Sequence, residues 1–169
     1  PVASNDTEVN WRITTSLVKP VAAYVFLQTT ARNTAATGQE QNNNILDACD
    51  VTEFKLLVNN VSFPREPVQT NFAANNINVG RAFQNLLNSK NKFNNDDDSM
   101  LVDLKEFRTL YPIHYFDLST IDDGVYNINS AADIEVRLRK NAGGGECNVY
   151  AVILSERSGA LHSNGSVVR

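Results

Sequence analysis

At 169 residues, with 42% hydrophobic and 20% charged residues, the chain has the size and composition of one globular domain. Such a domain buries about 70% of its unfolded surface, enough for a sizeable core. A formal net charge of -4 and a pI near 5.1 run against a nucleic-acid binder with its basic stripe, and no apolar run approaches the ~18 residues of a bilayer span.

The chain opens Pro1-Val2-Ala3-Ser4-Asn5, with no initiator Met and no signal peptide, which reads as an excised domain or a processed product of a longer chain. Trp11, Ile13, Thr15 and Leu17 alternate along one face, predicting a half-buried strand over 11–18. Lys19-Pro20 interrupts it, because proline removes a ladder donor. Ala22 to Thr29 resumes as a nearly continuous apolar run, predicting a strand buried on both faces. Residues 30–50 lose all periodicity and predict a long, polar surface loop, ordered mainly by partners as the termini are.

Val51 to Asn59 alternates again, with Phe54, Leu56 and Val58 on one side. Asn59-Asn60 predicts a turn, and the two prolines of Ser62 to Pro67 block helix. The period then changes. Val79, Ala82, Phe83, Leu86 and Leu87 form one helical stripe behind Asn78 as N-cap, ending at Asn91 to Asn95. Asp96-Asp97-Asp98-Ser99 predicts the start of a second helix, with Met100, Leu104 and Phe107 as its apolar face and Pro112 as its bound.

After Pro112 the strand period returns at Ile113 to Leu118, followed by an Asp122-Asp123-Gly124 turn. Ile134, Val136 and Leu138 alternate with Glu135, Arg137 and Arg139, the clearest amphipathic strand in the chain. Asn141 to Gly145 predicts a hairpin link to a buried final strand, Asn148 to Leu154. The pattern is all-β: a β-sandwich with a short helical insertion, for which jelly-roll and immunoglobulin-like topologies both fit.

Candidate chemistry is thin. His114 and His162 are the only histidines and lack the cluster of a cupin-type metal site, so His114 is expected to be a half-exposed strand residue. Ser119, His114 and Asp117 lie too close along one strand to converge as a triad, and no G-x-S-x-G elbow occurs. Gly143-Gly144-Gly145-Glu146 lacks the Gly-Lys-Ser/Thr ending of a phosphate loop. Asp96-Asp97-Asp98 and Asp122-Asp123 lack calcium-loop spacing and read as solvated. Phe72, Phe83, Phe93 and Phe107 read as core packing, not as a platform for stacked bases. Cys49 and Cys147 read as unpaired thiols of a reducing compartment, and the three sequons, at Asn5, Asn60 and Asn164, do not establish secretion. The sequence predicts no enzyme and no catalytic, cofactor-binding or metal-binding residue.

Four segments, taken in order, carry a family resemblance. Lys19-Pro20 before Tyr24-Val25-Phe26-Leu27-Gln28 resembles the opening of the C-terminal jelly roll of double-jelly-roll major capsid proteins of virophages and polinton-type viruses. Leu56 to Asn60 running into Phe63 to Pro67 is similar to the family's strand, Asn turn and aromatic-Pro step. Arg81 to Leu86 resembles the family's helical insertion, and Tyr111 to Ser119 is the nearest in wording. The strands around Ile134-Glu135-Val136 and Val149 to Val152 complete the order.

The resemblance implies that residues 1–169 are a single jelly-roll domain, either the C-terminal half of a longer chain or a single-jelly-roll protein like that half. It implies a structural capsid protein: a homotrimer formed through the full-length chain, a pseudo-hexagonal capsomer of an icosahedral shell. Its partners would be an N-terminal jelly roll of the same protein and penton or minor capsid proteins, with no direct nucleic-acid contact, no membrane span and no catalytic residue. Its location would be the virion, after assembly inside the host cell. The alternative is a carbohydrate- or ligand-binding jelly-roll module, with an enzyme on the same fold third.

Overall fold

The computed structural model describes residues 1–13, 17, 19–33, 44–73, 75, 77–93, 102–121, 132–155, 160–161 and 167–168. Strand β1 (Glu8–Ile13) turns Val9, Trp11 and Ile13 toward the core, and Thr15 and Val18 lie outside the described residues. It pairs antiparallel with β6 (Ile134–Lys140), Trp11 opposite Val136. The other edge of β6 pairs with β3 (Val51–Val58), which continues into β4 (Val61–Gln69). These four strands form one sheet in the order β1-β6-β3-β4. The second sheet runs β5-β2-β7, with β2 (Pro20–Thr29) between β5 (His114–Asp117) and β7 (Cys147–Ser155). A third pairing joins β8 (Ala160–Leu161) to β9 (Val167–Val168).

The two larger sheets pack face to face, and the molecule is an all-β sandwich. Phe54, Leu56 and Val58 of β3 sit opposite Leu138, Val136 and Ile134 of β6, and all six are buried. Ala23, Val25 and Leu27 supply the facing layer from β2. Phe54 crosses the gap, its ring centroid 5.9 Å from Phe116 of β5. Each such side chain removed from water contributes about 1.5–3 kcal/mol before entropy is counted.

Turn chemistry sets the topology. Asn59 and Asn60 take left-handed backbone angles (φ 49° and 67°), the conformation a two-residue hairpin loop demands and asparagine tolerates. The Ser62 to Pro67 segment excludes helix as expected, and it forms most of β4, with a cis bond between Phe63 and Pro64. The Gly-rich link after β6 differs from its expected hairpin. β6 lies in one sheet and β7 in the other, so residues 141–146 carry the chain across the sandwich. Positive φ at Gly143 and Gly145 (87° and 77°) accommodates that crossing.

Helix α1 (Gly80–Phe93) packs on β5 and β4, with Ala82, Leu86 and Ser89 buried and Val79 buried just before it. Its first turn is closed by Phe83 N–H on the Val79 carbonyl, one residue beyond the expected cap, because Asn78 is paired with Asn71. Helix α2 (Leu104–Thr109) begins at Asp103, not at the Asp96 run, which lies outside the described residues together with Met100. Asp103 Oδ1 accepts from Glu106 N–H at 2.6 Å and Glu106 Oε2 accepts from Asp103 N–H at 3.2 Å, a reciprocal capping box. Phe107 is its buried anchor, within ring contact of Phe83 (5.4 Å) and Phe72 (6.2 Å), whereas Leu104 faces solvent. The side chain of Phe93 lies outside the described residues. Residues 44–50 of the expected 30–50 loop are held by their own chain: Leu46 N–H reaches the Leu110 carbonyl and Asp47 N–H the Leu27 carbonyl.

Candidate functional site

The outward face of the three-stranded sheet is apolar. Strand periodicity sends Tyr24 and Phe26 of β2 to the side opposite Val25 and Leu27, and the register places Val152 beside Tyr24 and Tyr150 beside Phe26. Phe26 and Tyr150 stack with centroids 5.7 Å apart, and Tyr24 meets Tyr115 of β5 at 5.0 Å. On β7 the expected full burial does not occur: Tyr150, Val152 and Leu154 are 38%, 48% and 37% exposed. Tyr24 and Phe26 are only half-buried, so the middle of the outer face of β2 is open, while Ala22 and Gln28 toward its two ends are buried on that same face. An apolar run spells the same pattern whether its second face meets its own chain or stays open. That is why the sequence predicted two buried faces.

β7 is also an edge. Among the described residues one side of it pairs with β2, while the other is bonded only at Cys147, where Val2 N–H donates to the Cys147 carbonyl at 2.6 Å and the Val2 carbonyl accepts from Cys147 N–H at 3.0 Å. Among the described residues, the edge beyond that bridge presents ladder groups beside an apolar stripe, the combination that templates pairing with another chain. Beside Tyr24 on this face, Tyr115 is itself buried, its hydroxyl without a hydrogen-bond partner, and burial pushes its pKa up, with Asp117 and Tyr24 adding to the shift.

The solvent face of the other sheet is charged and internally paired. A groove of about 390 Å³ crosses it, lined among others by Glu8, Glu53, Lys55 and Arg139. Arg139 bridges Glu8 at 2.6 Å and Glu53 at 3.6 Å, and Arg137 bonds Glu135 at 2.6 Å, which raises the Arg137 pKa. Lys140, which ends the same strand, is buried and donates to the Ser4 and Gly145 carbonyls.

The chain matches no family model, no curated protein and no solved structure.

His114 corrects its expectation: it is buried, 3% exposed, stacked on Phe54 at 4.3 Å with Phe72 edge-on at 6.4 Å. Burial lowers its pKa to about 3, so the ring is neutral in the fold. Ser119, His114 and Asp117 do not form a triad. Ser119 donates to Asp117 Oδ1 through its hydroxyl (2.7 Å) and its N–H (3.0 Å), a local cap on the short 3-10 turn Leu118–Thr120, while His114 points into the core. His162 and the Asp122-Asp123 pair lie outside the described residues. Among the described residues no group of three or more His, Cys, Asp or Glu could hold a metal ion, and no helix is long and apolar enough to cross a membrane. Cys49 and Cys147 are free thiols, both buried and hydrogen-bonded to each other, a proximity that their separation along the chain concealed.

Proposed function

We propose that this chain is a structural capsid protein, a jelly-roll domain that assembles with copies of itself into trimeric, pseudo-hexagonal capsomers of an icosahedral shell. The observation that carries the reading is the outer face of β2 and β7, where Tyr24, Phe26, Tyr150, Val152 and Leu154 lie together beside a strand edge that, among the described residues, is paired only at Cys147. A contiguous apolar face of this kind marks a protein–protein contact. The order of short motifs from Lys19-Pro20 to Val149-Tyr150-Ala151-Val152, which resembles the double-jelly-roll capsid proteins, supports it independently.

On this reading the apolar face is covered in the assembled particle by the N-terminal jelly roll of the same protein or by a neighbouring subunit. Penton or minor capsid proteins are further partners, the location is the virion, and the role is mechanical, without catalysis, cofactor or direct nucleic-acid contact. The carbohydrate-binding alternative gains nothing from Trp11, which packs against the core and offers no sugar platform.

Sedimentation velocity of the intact gene product, with and without the paired changes Val152→Glu and Leu154→Lys, tests the reading. A trimer that the double variant dissociates at unchanged circular dichroism is the expected result. A wild-type monomer at every concentration overturns the assembly reading, and a variant that stays trimeric overturns the assignment of this face.

A further inference from the structure

We propose that Cys49 and Cys147 are a redox-sensitive dithiol site that closes to an intramolecular disulfide on contact with a peroxide, tying the two sheets together at one end of the sandwich.

The placement begins with the backbone. Cys49 and Asp50 take consecutive left-handed conformations (φ 48° and 51°), a sharp turn that delivers Cys49 into the core just before β3. Cys147 opens β7 in the opposite sheet, facing Thr29 of β2. Both sides are clamped. Asp47 Oδ2 accepts from Thr29 N–H (2.9 Å) and Oγ1 (3.1 Å), and Asn141 N–H donates to the Asp50 carbonyl (3.0 Å). Gly144 lies so near that a Cβ there would stand 2.7 Å from the Cys49 carbonyl oxygen. Both cysteines are thus held by contacts from three segments of the chain, and their side chains are hydrogen-bonded to each other.

Their chemistry is asymmetric. The hydrogen bond from Cys49 to the Cys147 sulfur stabilises a thiolate at Cys147, with the Lys140 ammonium adding to it against the desolvation of the site. Together they draw the Cys147 pKa down to about 7. The same contact, with burial, pushes the Cys49 thiol up. A thiolate beside a protonated thiol is the arrangement of an attacking and a resolving cysteine.

The step balances with hydrogen peroxide as the named oxidant. The Cys147 thiolate attacks one peroxide oxygen, the O–O bond breaks, and hydroxide leaves and takes up a proton as water. The Cys49 sulfur then attacks the resulting sulfenic sulfur; the S–S bond forms, the S–O bond breaks, and the hydroxyl leaves as a second water with the Cys49 proton. Two thiols and one peroxide give one disulfide and two waters. Cys49 is 7% exposed and Cys147 fully buried, so a small oxidant suits the site better than a bulky disulfide.

The test treats the reduced protein with a few-fold excess of hydrogen peroxide and maps its peptides without reduction. A cross-linked peptide containing Cys49 and Cys147 is expected, reversed by dithiothreitol, with a rise in Tm of about 5–15 °C from closing so long a loop. The Cys49→Ser variant should stop at oxygenated Cys147. Both thiols surviving, or wild-type Cys147 carrying oxygen with no cross-link, overturns the proposal. Should the variant fail to fold, the wild-type peptide map decides alone.

Discussion

The His114 imidazole lies on the Phe54 ring with centroids 4.3 Å apart and planes 21° from parallel, one residue from each sheet of the sandwich. This stack places a titratable group in the layer that joins the sheets.

Acid should loosen the fold through that residue. His114 has its folded pKa lowered to about 3 by burial, against 6.5 in the unfolded chain. The unfolded state therefore binds the extra proton first, and the stability held above pH 6.5 is lost as pH falls from there toward 3. The loss approaches ~4 kcal/mol at the bottom of the window. Urea midpoints between pH 7 and 4 should fall for the wild type and fall less for His114→Leu; parallel slopes would contradict the assignment.

The Tyr115 hydroxyl makes the opposite prediction. It is buried with no hydrogen-bond partner, so Tyr115→Phe should be neutral or stabilising by about 1 kcal/mol. A loss of more than that in chemical denaturation would show that the hydroxyl is bonded in solution.

Phe107 holds α2 to the body of the protein through Phe83 and Phe72. Phe107→Ala should cost about 3–5 kcal/mol, whereas Asp103→Ala, which removes only the capping box, should cost about 1 kcal/mol. Equal effects would mean that the cap and the core residue are not separate contributions.

Gly144 should be intolerant of any side chain. A Cβ would meet the Cys49 carbonyl oxygen at 2.7 Å, a backbone atom that cannot swing aside, so Gly144→Ala should destabilise by about 1–3 kcal/mol. Gly80→Ala, with open space around it, is the control, expected to change little or to stabilise. Thermal melts of the two variants check the contrast.

The strands were legible where one face met the core and the other met water. β6 shows this best, because Ile134, Val136 and Leu138 alternate with charged neighbours and are buried as expected. β7 was legible as a strand but not as a surface, since Tyr150, Val152 and Leu154 look like core residues until the second sheet turns out to leave them uncovered. The start of α2 is written in the sequence as Asp103 and Glu106, three residues apart, but the denser Asp96 run spells a stronger acidic start signal just upstream. The Gly-rich link reads as a hairpin locally, and only the sheet assignment of β6 and β7 shows that it crosses. The Cys49–Cys147 contact and the burial of His114 are products of tertiary packing, on which local periodicity is silent.

The central claim is assembly through the apolar face of β5-β2-β7, and electron microscopy of the purified intact gene product tests it most directly. The account predicts three-fold symmetric particles of pseudo-hexagonal outline, lost in the Val152→Glu, Leu154→Lys variant. Isolated monomers of the wild type at micrograph concentrations, with the face open to solvent, would contradict it.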